Sequence, residues 1–221
     1  MKSLIKNAII SQFMKLYISD LHFFHDRIIE LDQRNFPDSH TMNKFMLEQW
    51  NSKVKGGDIV IVLGDMFASK NPDEVNVILN RLNGKICLIE GNHDKMWLKK
   101  EGINLNRFEW IKQYTELTDG NYNVILSHYP TFCYNHQYLV NQDETPRTFM
   151  LYGHVHNTID EALVNQFQEI TRKTPAPGTA NKTIPCNMIN CFCKFSNYVP
   201  LSLEEWISLD KKRRLQLLQK N

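Results

Sequence analysis

Five short apolar runs, each stopping at residues able to hold a cation, constrain this chain more than any other feature. The central one is Lys85 to Asp94, K-I-C-L-I-E-G-N-H-D. Its apolar part reads as a buried strand. Gly91 lets the chain turn sharply there, so that Asn92 and His93 stand at a sheet edge rather than inside it. Leu16 to Ser19 runs into Asp20-Leu21-His22 in the same way, and Ile59 to Leu63 into Gly64-Asp65. Val124 to Ser127 ends in His128, and Phe149 to Tyr152 ends in Gly153-His154-Val155-His156. The expectation is that these five ends converge on a pair of metal ions.

The segments between the runs supply helices. His25 to Asp32 predicts a short one, with Ile28, Ile29 and Leu31 apolar. Pro37-Asp38-Ser39 breaks the chain and offers a cap for the next, which sets Met42, Phe45, Met46 and Trp50 on one face as core. Asn71-Pro72-Asp73-Glu74 combines a cap, a first-turn proline and acids at the positive helix end. The helix it opens lies between two strand runs, which makes a βαβ unit with parallel strands. A short helix from Asp94 is expected to end at Gly102. Tyr114 to Leu117 and Tyr122 to Ser127 read as a hairpin turned at Asp119-Gly120. Residues 130–146 are irregular and polar, placed to shape substrate access.

Two capping boxes follow. Thr158-Ile159-Asp160-Glu161 is expected to open a helix that packs Leu163, Phe167 and Ile170. Residues 173–185 carry three prolines and a glycine and read as an exposed loop, and Met188 to Cys193 as another strand. Ser202-Leu203-Glu204-Glu205 opens a C-terminal helix over 202–219. Its run Lys211-Lys212-Arg213-Arg214 reads as a solvated face.

At 221 residues the chain is expected to form a single domain over 1–221, with its core in 14–200. Net charge is +2, too small for a dedicated electrostatic nucleic-acid binder. No apolar run reaches the length of a membrane span, and Lys6 and Asn7 break the N-terminal run where a signal peptide would need continuity. Five cysteines without an export signal suit a reduced, cytoplasmic protein. Cys186, Cys191 and Cys193 lack a fourth partner at zinc-site spacing, so they read as core.

Taken singly, Asp20-x-His22 and Gly64-Asp65 are weak patterns. Side chains two apart on a strand face the same way, so Asp20 and His22 can touch one ion. The order D-x-H, G-D, G-N-H-D, H, G-H-x-H along one chain is strong. That ordered set resembles the calcineurin-like metallophosphoesterase superfamily through residues 16–156. The resemblance, with the βαβ reading, implies an α/β fold: a four-layer α/β/β/α sandwich of two mixed β-sheets flanked by helices. It further implies that one ion is held by Asp20, His22, Asp65 and His156. A second would be held by Asp65, Asn92, His128 and His154, with Asp65 shared. Carboxylate, imidazole and amide oxygen suit Mn²⁺, Fe, Zn²⁺, Ni²⁺ or Co²⁺, with no thiolate to select one, and Mn²⁺ is the expected ion. In such relatives a hydroxide bridging the two ions attacks phosphorus, and His93 protonates the departing oxygen or holds the phosphate.

Two further residues are candidates for touching substrate. His25 stands at the head of the first helix, and Arg34 follows that helix as a possible bidentate phosphate donor. After Gly64-Asp65 the chain reads Met66-Phe67-Ala68-Ser69-Lys70. It lacks the second Asp and the Arg of the serine/threonine phosphatases and the symmetrical dinucleoside tetraphosphate hydrolases. Ser19 to His25 and Trp50-Asn51 instead resemble small stand-alone phosphoesterases of bacteria and phages. The expected substrates are small phosphodiesters or nucleotides. The alternatives are a nuclease or RNA-end processing enzyme, and a non-catalytic interaction scaffold.

Overall fold

The computed structural model describes residues 13–175, 183 and 186–218. The N-terminal run and most of the 173–185 segment therefore lie outside the described residues. Four strands, β1 (Lys15–Ile18), β2 (Ile59–Val62), β3 (Lys85–Ile89) and β4 (Phe108–Lys112), form one sheet in that order, all parallel. A second sheet runs β5 (Tyr114–Asp119), β6 (Tyr122–Ser127), β7 (Thr148–Tyr152) and β8 (Met188–Asn190). There β5 and β6 are antiparallel and the remaining pairs parallel. An antiparallel bridge from Tyr17 to Leu201 extends the first sheet at its β1 edge.

Strand periodicity divides the core. Tyr17, Ile61, Cys87 and Ile89 point between the sheets, against Val124, Leu126, Leu151 and Ile189. Their neighbours Leu16, Ile18, Val60, Val62, Ile86 and Leu88 point the other way, against helices. Those helices are α1 (Asp26–Leu31), α2 (Ser39–Lys53) and α3 (Pro72–Arg81). The expected caps hold: Asp38 accepts from Thr41 N and Asn71 from Asp73 N. Met42, Met46 and Trp50 are fully buried, as the stripe predicts. On the outer face of the second sheet lies α5 (Ile159–Lys173), giving the four layers expected from the resemblance. The closing helix α6 (Leu203–Leu218) seals the edge, where Trp206 donates through Nε1 to Tyr17 O.

Four details differ from the sequence reading. Strand β4 was not expected; its burial is ragged, as for an edge strand, so no apolar run marks it. The helix after Asp94, α4 (Asp94–Trp97), is a single turn. In α5 the buried face is mixed: Val164 is buried and Phe167 packs on the core as expected, but the rest of the stripe is displaced. Leu163 and Ile170 are exposed, while Glu161, Gln168 and Thr171 are buried. The outer face of the sheet offers polar partners that explain this. Tyr152 OH and Asn190 Nδ2 donate to Glu161 Oε2, and Met188 N donates to Gln168 Oε1. Glu161 is thereby drawn away from the reciprocal half of its capping box, leaving only Thr158 to cap. Finally, Arg213 and Arg214 turn inward to Asp210, Glu161 and Met188 O, so half of the basic run is structural.

Candidate metal centre

Parallel strands leave the sheet at one end, so the loops after β1, β2 and β3 emerge together, as do those after β6 and β7. Gly153 N donates to His128 O within the second group. His154 N reaches across to the first, donating to both carboxylate oxygens of Asp20 at 3.0 and 3.2 Å. Within the first group the loops after β2 and β3 approach so closely that Gly91 is required: a Cβ there would lie 2.3 Å from Asp65 Oδ1 and 2.5 Å from Asp65 N.

The structure gathers all the residues of the expected ligand set. His22 Nε2 and His156 Nε2 stand 3.3 Å apart, and His156 Nε2 lies 3.4 Å from Asp20 Oδ1. Asn92 Oδ1 is 3.0 Å from His128 Nε2 and 2.9 Å from His154 Nδ1. Between the two clusters sits Asp65. Its Oδ2 is 3.7 Å from His22 Nε2 and 3.6 Å from His128 Nε2. Three groupings have ligand atoms close enough to hold an ion: Asp20, His22 and His156; His22, Asp65 and His93; and Asp65, His128 and His154. Among the described residues no cysteine joins such a group. The donors are carboxylate, imidazole and amide oxygen, a set that fits a first-row divalent ion.

The electrostatics of these side chains agree with a cation-binding cluster. Burial pushes Asp65 up, and the nearby Asp20 adds to this. Burial acts on Asp20 in the same sense, but His156, His128 and His22 hold its carboxyl far below the usual range. Burial keeps His22 and His154 neutral, the form in which an imidazole can ligate.

Five of the site residues, Asp20, His22, Asp65, His154 and His156, have left-handed backbones with φ between 48° and 69°. Such φ values cost an L side chain about 1–2 kcal/mol each, and strain of this kind gathers at functional sites. His154 offers a clean test because its side chain is exposed. In metal-free protein, H154G is expected to melt about 2–4 °C above H154A. Thermal unfolding of the two variants checks this, and an H154A variant at least as stable as H154G contradicts it.

His93 stands at the mouth of the cluster, its side chain 43 % exposed and its Nε2 4.0 Å from Asp65 Oδ2. The rings of His22 and His25 flank it, with centroids at 5.0 and 5.8 Å. His25 also approaches His22, Nδ1 to Nδ1 at 3.3 Å. A cleft of about 470 Å³ opens over these residues, with Arg27, Leu31, Val155, Thr158 and Asp160 on its walls.

Arg34 is not in that cleft, which overturns the expectation that it meets substrate. It is buried, and its guanidinium donates to Asp20 O, Leu21 O and the Asp32 carboxylate. Three residues escaped the sequence reading. Asp94 accepts from the backbone N of Asp65, Met66 and Gly91 and from Trp97 Nε1, locking two ligand loops together. Burial and the adjacent Asp65 push its carboxyl up to about 6, while the donors from Gly91, Trp97 and Met66 pull the other way. Its place in the G-N-H-D block was the available signal. Tyr129 packs on His128 and His154 at centroid distances of 5.0 and 4.5 Å. Asp32 meets His156 from 124 positions away, and nothing in the sequence marks the pair.

Residues 14–174 match the family model described as the calcineurin-like phosphoesterase superfamily domain. An uncharacterized protein of Methanocaldococcus jannaschii is 32% identical over 204 residues, covering 91% of this chain and 94% of the relative. The crystal structure of a protein of unknown function from Aquifex aeolicus shares the fold. Its TM-score is 0.61 at 24% identity, over 90% of this chain and all of the other.

Proposed function

The chain belongs to the calcineurin-like phosphoesterase superfamily, and on that footing we propose that it is a two-metal hydrolase of small phosphoesters, phosphodiesters and nucleotides first. The observation that carries this is the position of Asp65 Oδ2, within 3.7 Å of imidazole nitrogens from both clusters. Asp20, His22 and His156 would hold one ion, and Asn92, His128 and His154 the other, with Asp65 between them. Mn²⁺ is the ion we assign, since oxygen and nitrogen donors without thiolate suit it. Bound there, two cations would supply Lewis acidity toward the phosphoryl oxygens and lower the pKa of an attacking water.

The chain's own groups do the rest. His93 faces the cleft without serving as a ligand, and it donates the proton that the departing oxygen needs. His25, beside it, and Arg27, on the cleft wall, bind the remaining phosphate oxygens. The cleft volume falls in the range of small-molecule sites, which supports a small substrate over a duplex. Among the described residues no helix is long and apolar enough to cross a membrane.

A panel of phosphomonoesters, cyclic nucleotides and oligonucleotides assayed with Mn²⁺ tests the reading. Turnover of small esters is expected. Activity on oligonucleotides alone, falling steeply with salt, would replace it with a nuclease.

Metal uptake should also release a proton. Burial alone would lower the His156 pKa, but hydrogen bonds to Asp20 and Asp32 raise it to about 10. At pH 7 the ion-free ring is therefore charged, and an ion at Nε2 must displace its proton. Affinity is expected to rise about tenfold per pH unit for that proton and to level off above pH 10. Calorimetric titration in buffers of different ionisation enthalpy measures it. Uptake without proton release contradicts a charged His156 ring in the metal-free protein.

A further inference from the structure

An imidazole that is to serve a cation needs its second nitrogen held, because that contact fixes both the ring's orientation and which nitrogen offers a lone pair. His156 Nδ1 lies 2.6 Å from Asp32 Oδ1. Asp32 is itself gripped: Arg34 donates to its Oδ2 from Nε at 2.9 Å and from Nη2 at 2.8 Å. The same guanidinium reaches the backbone of the other ligand loop, Nη1 to Leu21 O at 2.8 Å and Nη2 to Asp20 O at 2.9 Å. One buried cation thus ties together the loop that carries Asp20 and His22 and the loop that carries His156.

The chain spends strain and desolvation on this link. Gln33, between the two residues, has a left-handed backbone at φ 51°. Lys194 Nζ caps the turn by donating to Asp32 O and Gln33 O at 2.6 and 2.7 Å. Across the site the arrangement is different. His128 Nδ1 donates to a backbone carbonyl, Leu63 O, at 2.8 Å, with no carboxylate behind it.

We propose that Asp32 and Arg34 are a positioning pair for one of the two ion positions. Asp32 holds His156 with Nδ1–H turned outward and Nε2 aimed at the Asp20 and His22 donors, while Arg34 keeps Asp32 in register with the Asp20–Leu21 backbone. Arg34 is buried away from the cleft, and Asp32, which borders it, has its carboxylate oxygens taken by Arg34 and His156. The proposal rests on reading the cluster as a two-ion centre, and it predicts that the pair serves the Asp20, His22 and His156 position selectively.

The test is Mn²⁺ binding by calorimetry and metal analysis on the full chain, with unfolding of the metal-free protein followed alongside. Wild type is expected to bind two ions. D32A is expected to bind one with an affinity within a few fold of wild type and the other about 10–100-fold more weakly. D32N, which keeps an oxygen acceptor and the side-chain volume, should fall between them and guards against an unfolded D32A. R34K, which cannot span the same acceptors, should weaken the same ion. D32A or D32N binding both ions as tightly as wild type would overturn the pair and leave the metal centre standing. Equal weakening of both ions would reduce the pair to a general structural role and overturn it too. A wild-type chain that takes up no ion would sink the metal centre itself, and the pair with it.

Discussion

Replacing Asp65 by asparagine is expected to cut kcat/KM by at least about a thousandfold, roughly 4 kcal/mol of transition-state stabilisation. The substitution is nearly isosteric, and the asparagine Oδ1 can still accept the backbone N–H of His93, now 2.8 Å from Asp65 Oδ1. What is lost is the one negative charge that lies between the His22 and His128 nitrogens. Both ions should bind more weakly, because each loses the same donor. The metal-free protein should respond in the opposite direction. Burial raises the Asp65 pKa, so at neutral pH its ionised carboxylate costs the ion-free fold stability. That cost is present above the raised folded pKa and vanishes as pH falls below the unfolded one. Metal-free D65N should therefore melt higher than metal-free wild type at pH 7–8. A variant that keeps wild-type turnover contradicts the bridging role. One that loses turnover while binding both ions normally contradicts it as well.

The second large effect belongs to His93. H93A is expected to lower kcat by about 10²–10⁴-fold, the contribution of a positioned general acid, with two ions still bound. The distinction matters because His93 also stands in a grouping with His22 and Asp65 that could hold an ion. Its ring is the more exposed one, and its Nε2 is farther from Asp65 Oδ2 than either His22 or His128. Those facts favour a proton donor over a ligand. The effect should be largest for substrates with poor leaving groups and should shrink for an activated aryl ester, whose oxygen needs little protonation. A loss of bound metal in H93A would move His93 into the ligand set.

Much of this arrangement was legible in the residues. The five apolar runs alternate or fill as strands must, and each stops at a glycine, an acid or a histidine, so both the sheets and the site could be placed. What failed was whatever depends on partners distant in sequence. Strand β4 has no apolar run of its own and exists because β3 offers it an edge. The periodic Leu163 and Ile170 of α5 suggested a buried stripe. The sheet beneath instead presents Tyr152, Asn190 and the Met188 N–H, which draw Glu161 and Gln168 inward beside Val164 and Phe167. Arg34 looked like a phosphate ligand because a cation after the first site helix usually meets solvent. The carbonyls of Asp20 and Leu21, turned back by left-handed backbone at Asp20 and His22, claim it instead. Asp32 carries no local mark at all, since its partner His156 arrives from the other sheet.

Anomalous diffraction from crystals grown with Mn²⁺ tests the central claim most directly. Two peaks about 3.5–4 Å apart are expected, one beside Asp20, His22 and His156, the other beside Asn92, His128 and His154, with Asp65 touching both. A single peak, or two that do not share Asp65, would contradict the account.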